Sequence, residues 1–257
     1  MFNPAQPTLK ARIASGDCIA VSWLALGSAA LVEAAACAQP DAIVIDMQHG
    51  LWERRDVEAA IGVVPSHIPV VVRVAENSAT AIGMALDAGA EGVIVPMIES
   101  VEQCRHAVRC AKYPPHGIRS AGGVRPLLDF GAYVKGANHI AVMVMIETAA
   151  GLTNAREIAA VVGLDMVFIG TGDLALSLEI GAADASKHAE ACAQIKRACD
   201  EVSVPCGAFT GTTDAALQRR VDGYRMVVTA NDIDVVAQGF ARATAALRSS
   251  DSARPAR

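Results

Sequence analysis

Several short apolar runs in this chain end in groups able to do acid–base or metal chemistry. Ile43–Ile45 leads into Asp46, Gln48 and His49, and Val70–Val72 ends in Arg73. Val142–Ile146 ends in Glu147, and Met166–Ile169 runs through Gly170-Thr171-Gly172 into Asp173. Of six histidines, only His49 sits at such an end among other polar groups. A histidine there can act as a general base; the plainer reading is a loop histidine bound to backbone. A desolvated guanidinium at Arg73 needs an anionic or carbonyl partner, supplied either by a substrate or by a structural salt bridge. Glu147 and Asp173 are 26 residues apart, about one βα unit. Carboxylates on neighbouring strand ends repel unless a cation or a shared proton intervenes. Oxygen donors with no cysteine nearby fit Mg²⁺ or Mn²⁺, against the alternative of helix caps or surface ion pairs. Asp87, in Leu-Asp-Ala-Gly-Ala, lies near a helix end where a carboxylate opposes the dipole and asks for a cation. The Gly170–Asp173 turn offers free backbone N–H groups to a carboxylate or phosphate. It has neither the Walker A nor the GxGxxG pattern of a nucleotide site.

Positioning these groups takes a regular framework. The apolar runs read as strands over Ile19–Leu26, Ala42–Met47, Val70–Val74, Gly92–Met97, Ile140–Glu147, Met166–Ile169, Cys206–Thr210 and Tyr224–Thr229. They are rich in Val and Ile and nearly unbroken by polar residues, as strands buried on both faces of a parallel sheet are. Helical periodicity fills the gaps at Ala29–Ala38, Arg55–Val64, Ala79–Ala88, Val101–Ala111, Ala155–Val162, Ala189–Val202 and Asp214–Val221, and Ile233–Leu247 follows the last strand. Ser28 and Asp214 read as N-caps, and Gly89 and Gly163 as residues just past helix ends. Eight strands alternating with eight helices predict an α/β fold, a closed (β/α)8 TIM barrel, with an open doubly wound sheet as the alternative. No biased linker interrupts the chain. A single domain over residues 1–257 is therefore expected, with its core at about 17–247 and a flexible tail at 249–257. The connections Tyr113–His139 and Leu174–Lys187 are long enough to be expected to be either functional or disordered.

Composition narrows the classes. The 257 residues are 53 % hydrophobic, 19 % charged and 4 % aromatic, and 50 are alanine. That excludes a disordered chain and favours helix. The net charge is 22 − 27 = −5, and the basic residues are scattered without a stripe, so no nucleic-acid partner is expected. No apolar run approaches the ~20 residues of a membrane span. Met1–Cys18 has no apolar signal core, so a cytoplasmic protein is expected. The seven cysteines contain no CxxC pair and read as small buried side chains in a reducing compartment.

Taken together, the segments Asp41–Gly50 (DAIVIDMQHG), Pro69–Val74 (PVVVRV), Leu86–Pro96 (LDAGAEGVIVP), Tyr113–Gly123 (YPPHGIRSAGG), Val144–Thr148 (VMIET) and Val167–Leu174 (VFIGTGDL) are specific. In order and spacing, over roughly residues 17–245, the chain resembles the HpcH/HpaI aldolases, class II metal-dependent pyruvate aldolases of the phosphoenolpyruvate/pyruvate barrel superfamily. The resemblance implies His49 as catalytic base and Arg73 as the group that stabilises a developing enolate. It implies Glu147 and Asp173 as ligands of a divalent ion (Mg²⁺, Mn²⁺ or Co²⁺), and Asp87 as the carboxylate that orients the histidine. The backbone of Gly172 and Asp173 would hold the pyruvate carboxylate, and Trp23 would lie near the pocket. A homo-oligomer, hexamer or trimer, is implied, with the last helix packed on a neighbouring subunit. Three positions depart from the family pattern. Gln48 stands where Glu is common, Met145 where Gln is common, and Thr171-Gly172 where Pro-(Ala/Ser) is common. Met145 removes a polar contact from the substrate-binding side, so the substrate or its pose is expected to differ from that of the better-known members.

The implied reaction is cleavage of a 4-hydroxy-2-oxo acid to pyruvate and an aldehyde, with small-molecule partners only. No lysine lies at a strand end, which argues against a Schiff-base aldolase. Two alternatives stand beside it: a citrate-type lyase or synthase on the same barrel, and a non-catalytic ligand-binding barrel.

Overall fold

The computed structural model describes residues 7–181 and 184–252. Its eight strands are β1 (Ile19–Leu24), β2 (Ala42–Asp46), β3 (Val70–Arg73), β4 (Gly92–Val95), β5 (Ala141–Ile146), β6 (Met166–Ile169), β7 (Cys206–Ala208) and β8 (Met226–Asn231). Each pairs in parallel with its sequence neighbour, and β8 pairs with β1, so the sheet closes into a barrel in strand order. That last pairing excludes the open sheet.

The strands alternate inward and outward with a period of two. Ile19, Val21 and Trp23 of β1 join Val44, Val71, Ile94, Met143, Met145, Met166, Phe168, Met226 and Val228 in one buried cluster inside the barrel. Ile43, Ile45, Val72, Val93, Val95, Val144, Ile146, Val167 and Ile169 lie in a second cluster beneath the helices. Both faces are dry, which is why the runs show no polar alternation. Four methionines and two aromatic rings fill much of the interior, so the barrel needs few aromatic residues.

Helices α2 (Ala29–Cys37), α3 (Arg54–Val63), α4 (Ala79–Asp87) and α5 (Val101–Ala111) follow the first four strands. The long connection before β5 contains α6 (Val124–Leu128), α7 (Phe130–Gly136) and a 3₁₀ turn at Ala137–His139. After β5 come α8 (Ala149–Thr153) and α9 (Ala155–Ala159), two short helices where one was expected. A short α10 (Thr171–Ser177) precedes α11 (Ala185–Glu201) after β6, and α12 (Thr213–Val221) and α13 (Asp232–Ser252) complete the order. Ser28 caps α2 as expected, and Gly89 follows α4 at φ +103°. Thr212, not Asp214, caps α12, because the helix begins one residue earlier and Asp214 falls in its first turn. Residues 249–252 continue α13; the rest of the expected tail, 253–257, lies outside the described residues.

One element was not expected. α1 (Leu9–Ser15) pushes Leu9 and Ile13 into the interior cluster and plugs the barrel. Seven residues are too few for a periodic signal. Its punctuation was nevertheless in the sequence: Thr8 accepts from the Ala11 N–H, and Gly16 ends the helix at φ +87°.

The two long connections fall on opposite ends of the barrel. Leu174–Lys187 follows a strand, so it belongs to the carboxyl-terminal face, where barrel active sites lie. Tyr113–His139 leads from a helix into a strand and therefore belongs to the amino-terminal face of its own barrel. Among the described residues, no helix is long and apolar enough to cross a membrane.

Phe168 is fully buried and stacks on Trp23 at 5.8 Å. Phe168→Ala should lower stability by about 3–5 kcal/mol in urea denaturation, since the closed barrel cannot collapse onto the void.

Candidate active site

Barrel closure brings β2, β3, β5 and β6 to one mouth, and their polar ends divide into two groups. The first is built on adjacent strands. Asp46 and Arg73 are register partners across β2 and β3. Both are buried, and the guanidinium grips the carboxylate with two donors: Nε to Oδ1 at 2.8 Å, and Nη2 to Oδ2. Trp23 Nε1 donates to the same carboxylate at 3.2 Å, and Arg73 lies over the Trp23 ring, 5.1 Å from its centroid. Phe209 meets that ring edge-on at 5.3 Å. Burial pushes the Asp46 carboxyl up, but the hydrogen bonds and charge of Arg73, with Trp23 and the His49 N–H, outweigh it and hold the carboxyl below its ordinary value.

Asp46 also folds the loop that carries the expected base. Its Oδ1 accepts from the backbone N–H of Gln48 at 3.0 Å and of His49 at 3.3 Å. The His49 side chain is exposed at the mouth, and its ring makes no hydrogen bond to a described residue. Gln48 Oε1 is buried without a described partner. Gly50 lets the chain turn tightly there: a Cβ would lie 2.2 Å from the Asp46 carbonyl oxygen.

The second group is acidic. Glu147 is fully buried, and its Oε1 accepts from the Met97 N–H at 2.7 Å. Met97 holds that position at φ +57°, a left-handed conformation that is strained for a residue with a Cβ. Oε2 is buried with no described partner. Gly170 makes room for it, since a Cβ there would approach Oε2 to 2.2 Å. Burial pushes the Glu147 carboxyl up. The Met97 N–H opposes this, the neighbouring Asp173 adds to it, and Arg73 opposes. Asp173 stands in the first turn of α10, a turn tied down by the Thr171 hydroxyl donating to the Phe209 carbonyl at 3.1 Å and by His188 against the Thr171 carbonyl at 2.9 Å. Gly172 is exposed, with open space where a side chain would be. Met145 bridges the groups from inside: its sulfur is 3.9 Å from Arg73 Nη1, and it is buried under Gly170.

These two carboxylates fit a divalent cation. A buried, unpartnered oxygen beside a second carboxylate is an arrangement that a cation relieves. Among the described residues no cluster of three or more His, Cys, Asp or Glu occurs.

Asp87 is not brought to His49 within this chain. It ends α4, which runs back toward the amino-terminal face, and its Oδ1 accepts from Arg119 Nη2 at 2.7 Å. Arg119 has no exposed side-chain surface; it lies between the rings of Tyr113 and Tyr133 and also donates to Tyr133 Oη at 2.8 Å. The helix-end carboxylate thus found its cation, but in the long connection. Sequence reasoning gave Asp46 no role. The signal was its place beside Arg73 on consecutive strands, which only register turns into a contact.

The sequence model of the HpcH/HpaI aldolase/citrate lyase family matches residues 20–239. The chain belongs to this family. Its reaction class is accordingly carbon–carbon lyase, of the aldolase kind. It is 37 % identical over 239 residues to a hydroxypyruvate/pyruvate aldolase of Paraburkholderia phytofirmans, covering 88 % of this chain and 91 % of that one. The structure of an HpcH/HpaI aldolase/citrate lyase family protein from Burkholderia cenocepacia J2315 superposes with a TM-score of 0.88 at 33 % identity, over 95 % of this chain and all (100 %) of that one. The citrate synthase SbnG superposes with a TM-score of 0.85 at 27 % identity, over 96 % and 100 %.

Asp46→Asn should cost about 3–5 kcal/mol at neutral pH, because it leaves a buried guanidinium without its counter-charge. Since the folded carboxyl is held low, the wild-type contribution is full above the unfolded value of ~3.9 and is lost as pH falls through the folded value. Acid titration of urea midpoints should show this loss in the wild type and not in the variant.

Proposed function

We propose that this family member is a metal-dependent aldolase that reversibly cleaves a 4-hydroxy-2-oxo acid to pyruvate and an aldehyde. The observation that carries the reading is Glu147 Oε2, buried and unpartnered beside Asp173 and facing the same mouth as Arg73. Glu147 and Asp173 would hold the ion, Mg²⁺, Mn²⁺ or Co²⁺, with water and substrate supplying the remaining ligands. When bound, such an ion supplies Lewis acidity toward the carboxylate and 2-oxo oxygens of the substrate.

The remaining work falls to the chain's own groups. The open backbone at Gly172 and Asp173 receives the substrate carboxylate at the start of α10. Arg73 is pinned by Asp46 and Trp23, and keeps Nη1 free of any carboxylate. It faces the 2-oxo oxygen, where negative charge grows as the C3–C4 bond breaks, and it needs no reorganisation to stabilise that charge. His49 takes the proton of the 4-hydroxyl. The C4–O bond becomes the aldehyde carbonyl, and the C3–C4 electron pair becomes the enolate of pyruvate. Protonation at C3 completes the reaction. Met145 gives the substrate an apolar wall where a hydrogen bond would otherwise be made. The Paraburkholderia relative, named for hydroxypyruvate and pyruvate, supports a short 2-oxo acid donor.

The citrate-type alternative draws support from the likeness to SbnG. It predicts condensation with oxaloacetate rather than with aldehydes. A homo-oligomer is also proposed: α13 touches β1 and β8 near its start, and Ile233, Val235, Phe240 and Leu247 are exposed along it. Light scattering should find a trimer or hexamer.

Purified protein should release pyruvate from 4-hydroxy-2-oxo acids in a lactate dehydrogenase-coupled assay. EDTA should abolish the activity, and added Mg²⁺, Mn²⁺ or Co²⁺ should restore it. Activity surviving both chelation and Glu147→Gln would sink the metal reading. His49→Ala should cost orders of magnitude in kcat; a loss under about tenfold, roughly 1.4 kcal/mol, would remove it as the base.

A further inference from the structure

A basic cavity lies on the outer surface, against the carboxyl-terminal half of α5. A cavity of about 430 Å³ there is lined by Arg105, Arg109, Lys112, His116 and Asn138, with valine as the rest of its wall. No carboxylate lines it, in a chain whose net charge is −5. Arg105, Arg109 and Lys112 are spaced four and three residues apart, so helical geometry stacks three cations on one face. Like charges at that spacing destabilise a helix unless something neutralises them. The carboxyl end of the α5 dipole offsets part of this repulsion for the last of them.

Little else in the chain does so. Among the described residues, Arg109, Lys112 and His116 have no carboxylate oxygen within 4.0 Å, and Arg105 has only the exposed Glu102 at 3.8 Å. The acid acting on Lys112 is Asp165, which is already paired with Lys10 at 2.9 Å. Lys112 is half-buried, and burial and the Lys10 charge press its ammonium toward the neutral form. Gly163 makes room for that ammonium, since a Cβ at its φ of +93° would approach Nζ to 2.6 Å. Two arginines, a lysine, a histidine and an asparagine thus line one cavity of small-molecule size.

We infer that this cavity binds a small multiply charged oxyanion of the phosphate or phosphate-ester class, at a site separate from the barrel mouth. His116 and Asn138 come from the two ends of the long connection before β5, so the bound anion would also tie those ends to α5.

Titration calorimetry with pyrophosphate, in EDTA to exclude a metal-bound mode, tests this. The expected result is one saturable site per chain. Its affinity should fall by at least about tenfold in Arg105→Gln/Arg109→Gln and in Lys112→Gln, and should be retained in Arg73→Lys, which keeps a counter-charge for Asp46. The α5 substitutions lie on the helix exterior or at its end, and cooperative circular dichroism melting will show that every variant folds. Affinity should also weaken steeply with salt. Orthophosphate should bind the same site more weakly, and malonate more weakly than pyrophosphate. The inference is overturned by absence of saturable binding, by equal binding to wild type and the α5 variants, by loss of binding in Arg73→Lys alone, or by malonate binding more tightly than pyrophosphate.

Discussion

The structure depends on a charge kept in the dry barrel. Arg73 sits at the end of four buried strand residues, and a guanidinium there is tolerable only with its counter-charge in contact. Asp46 supplies that charge from the next strand in parallel register, through two donors of the fork. The same carboxylate gathers the Trp23 indole and the N–H groups of Gln48 and His49. One ion pair therefore locks two strands in register, seats an aromatic side chain in the core and shapes the loop that presents the histidine. Such a pair adds little net stability over an apolar replacement. Its value lies in a guanidinium already oriented before any substrate arrives.

Across the mouth the electrostatics run the other way. Glu147 is buried, bound by one backbone N–H and faced by a second carboxylate, so its charge is expensive where Arg73's is compensated. A cationic side and an acidic side, separated by the Met145 thioether, give the mouth opposite charge on its two sides. The apolar filling of methionine, Trp23 and Phe168 beneath keeps water from entering from the barrel side. α1 closes the other end.

The amino-terminal face is organised around a second buried cation. Arg119 takes Asp87 and two tyrosine rings, and so fastens the long connection to α4. The histidine-orienting role that the resemblance gives Asp87 has no counterpart within one chain, because helix and strand directions set the two residues at opposite ends of the barrel. Length alone marked the Tyr113–His139 connection as either functional or disordered. The direction of the chain entering and leaving it decides which face it serves.

Much of this was legible in the residues. The number and order of strands, their two-sided burial, and the placement of His49, Arg73, Glu147 and Asp173 at strand ends follow from hydrophobic runs and the polar groups that stop them. These are local properties, repeated in eight similar units. Sequence by itself also determined the family, because six short segments in fixed order are improbable by chance. The tertiary structure decided what touches what. That Asp46 belongs to Arg73, that Asp87 belongs to Arg119, that Glu147 has an oxygen without a partner, and that α1 fills the barrel are all consequences of register and closure. Residues tens of positions apart acquire a common environment only when β8 meets β1. Burial then makes each polar group's choice of partner costly to change.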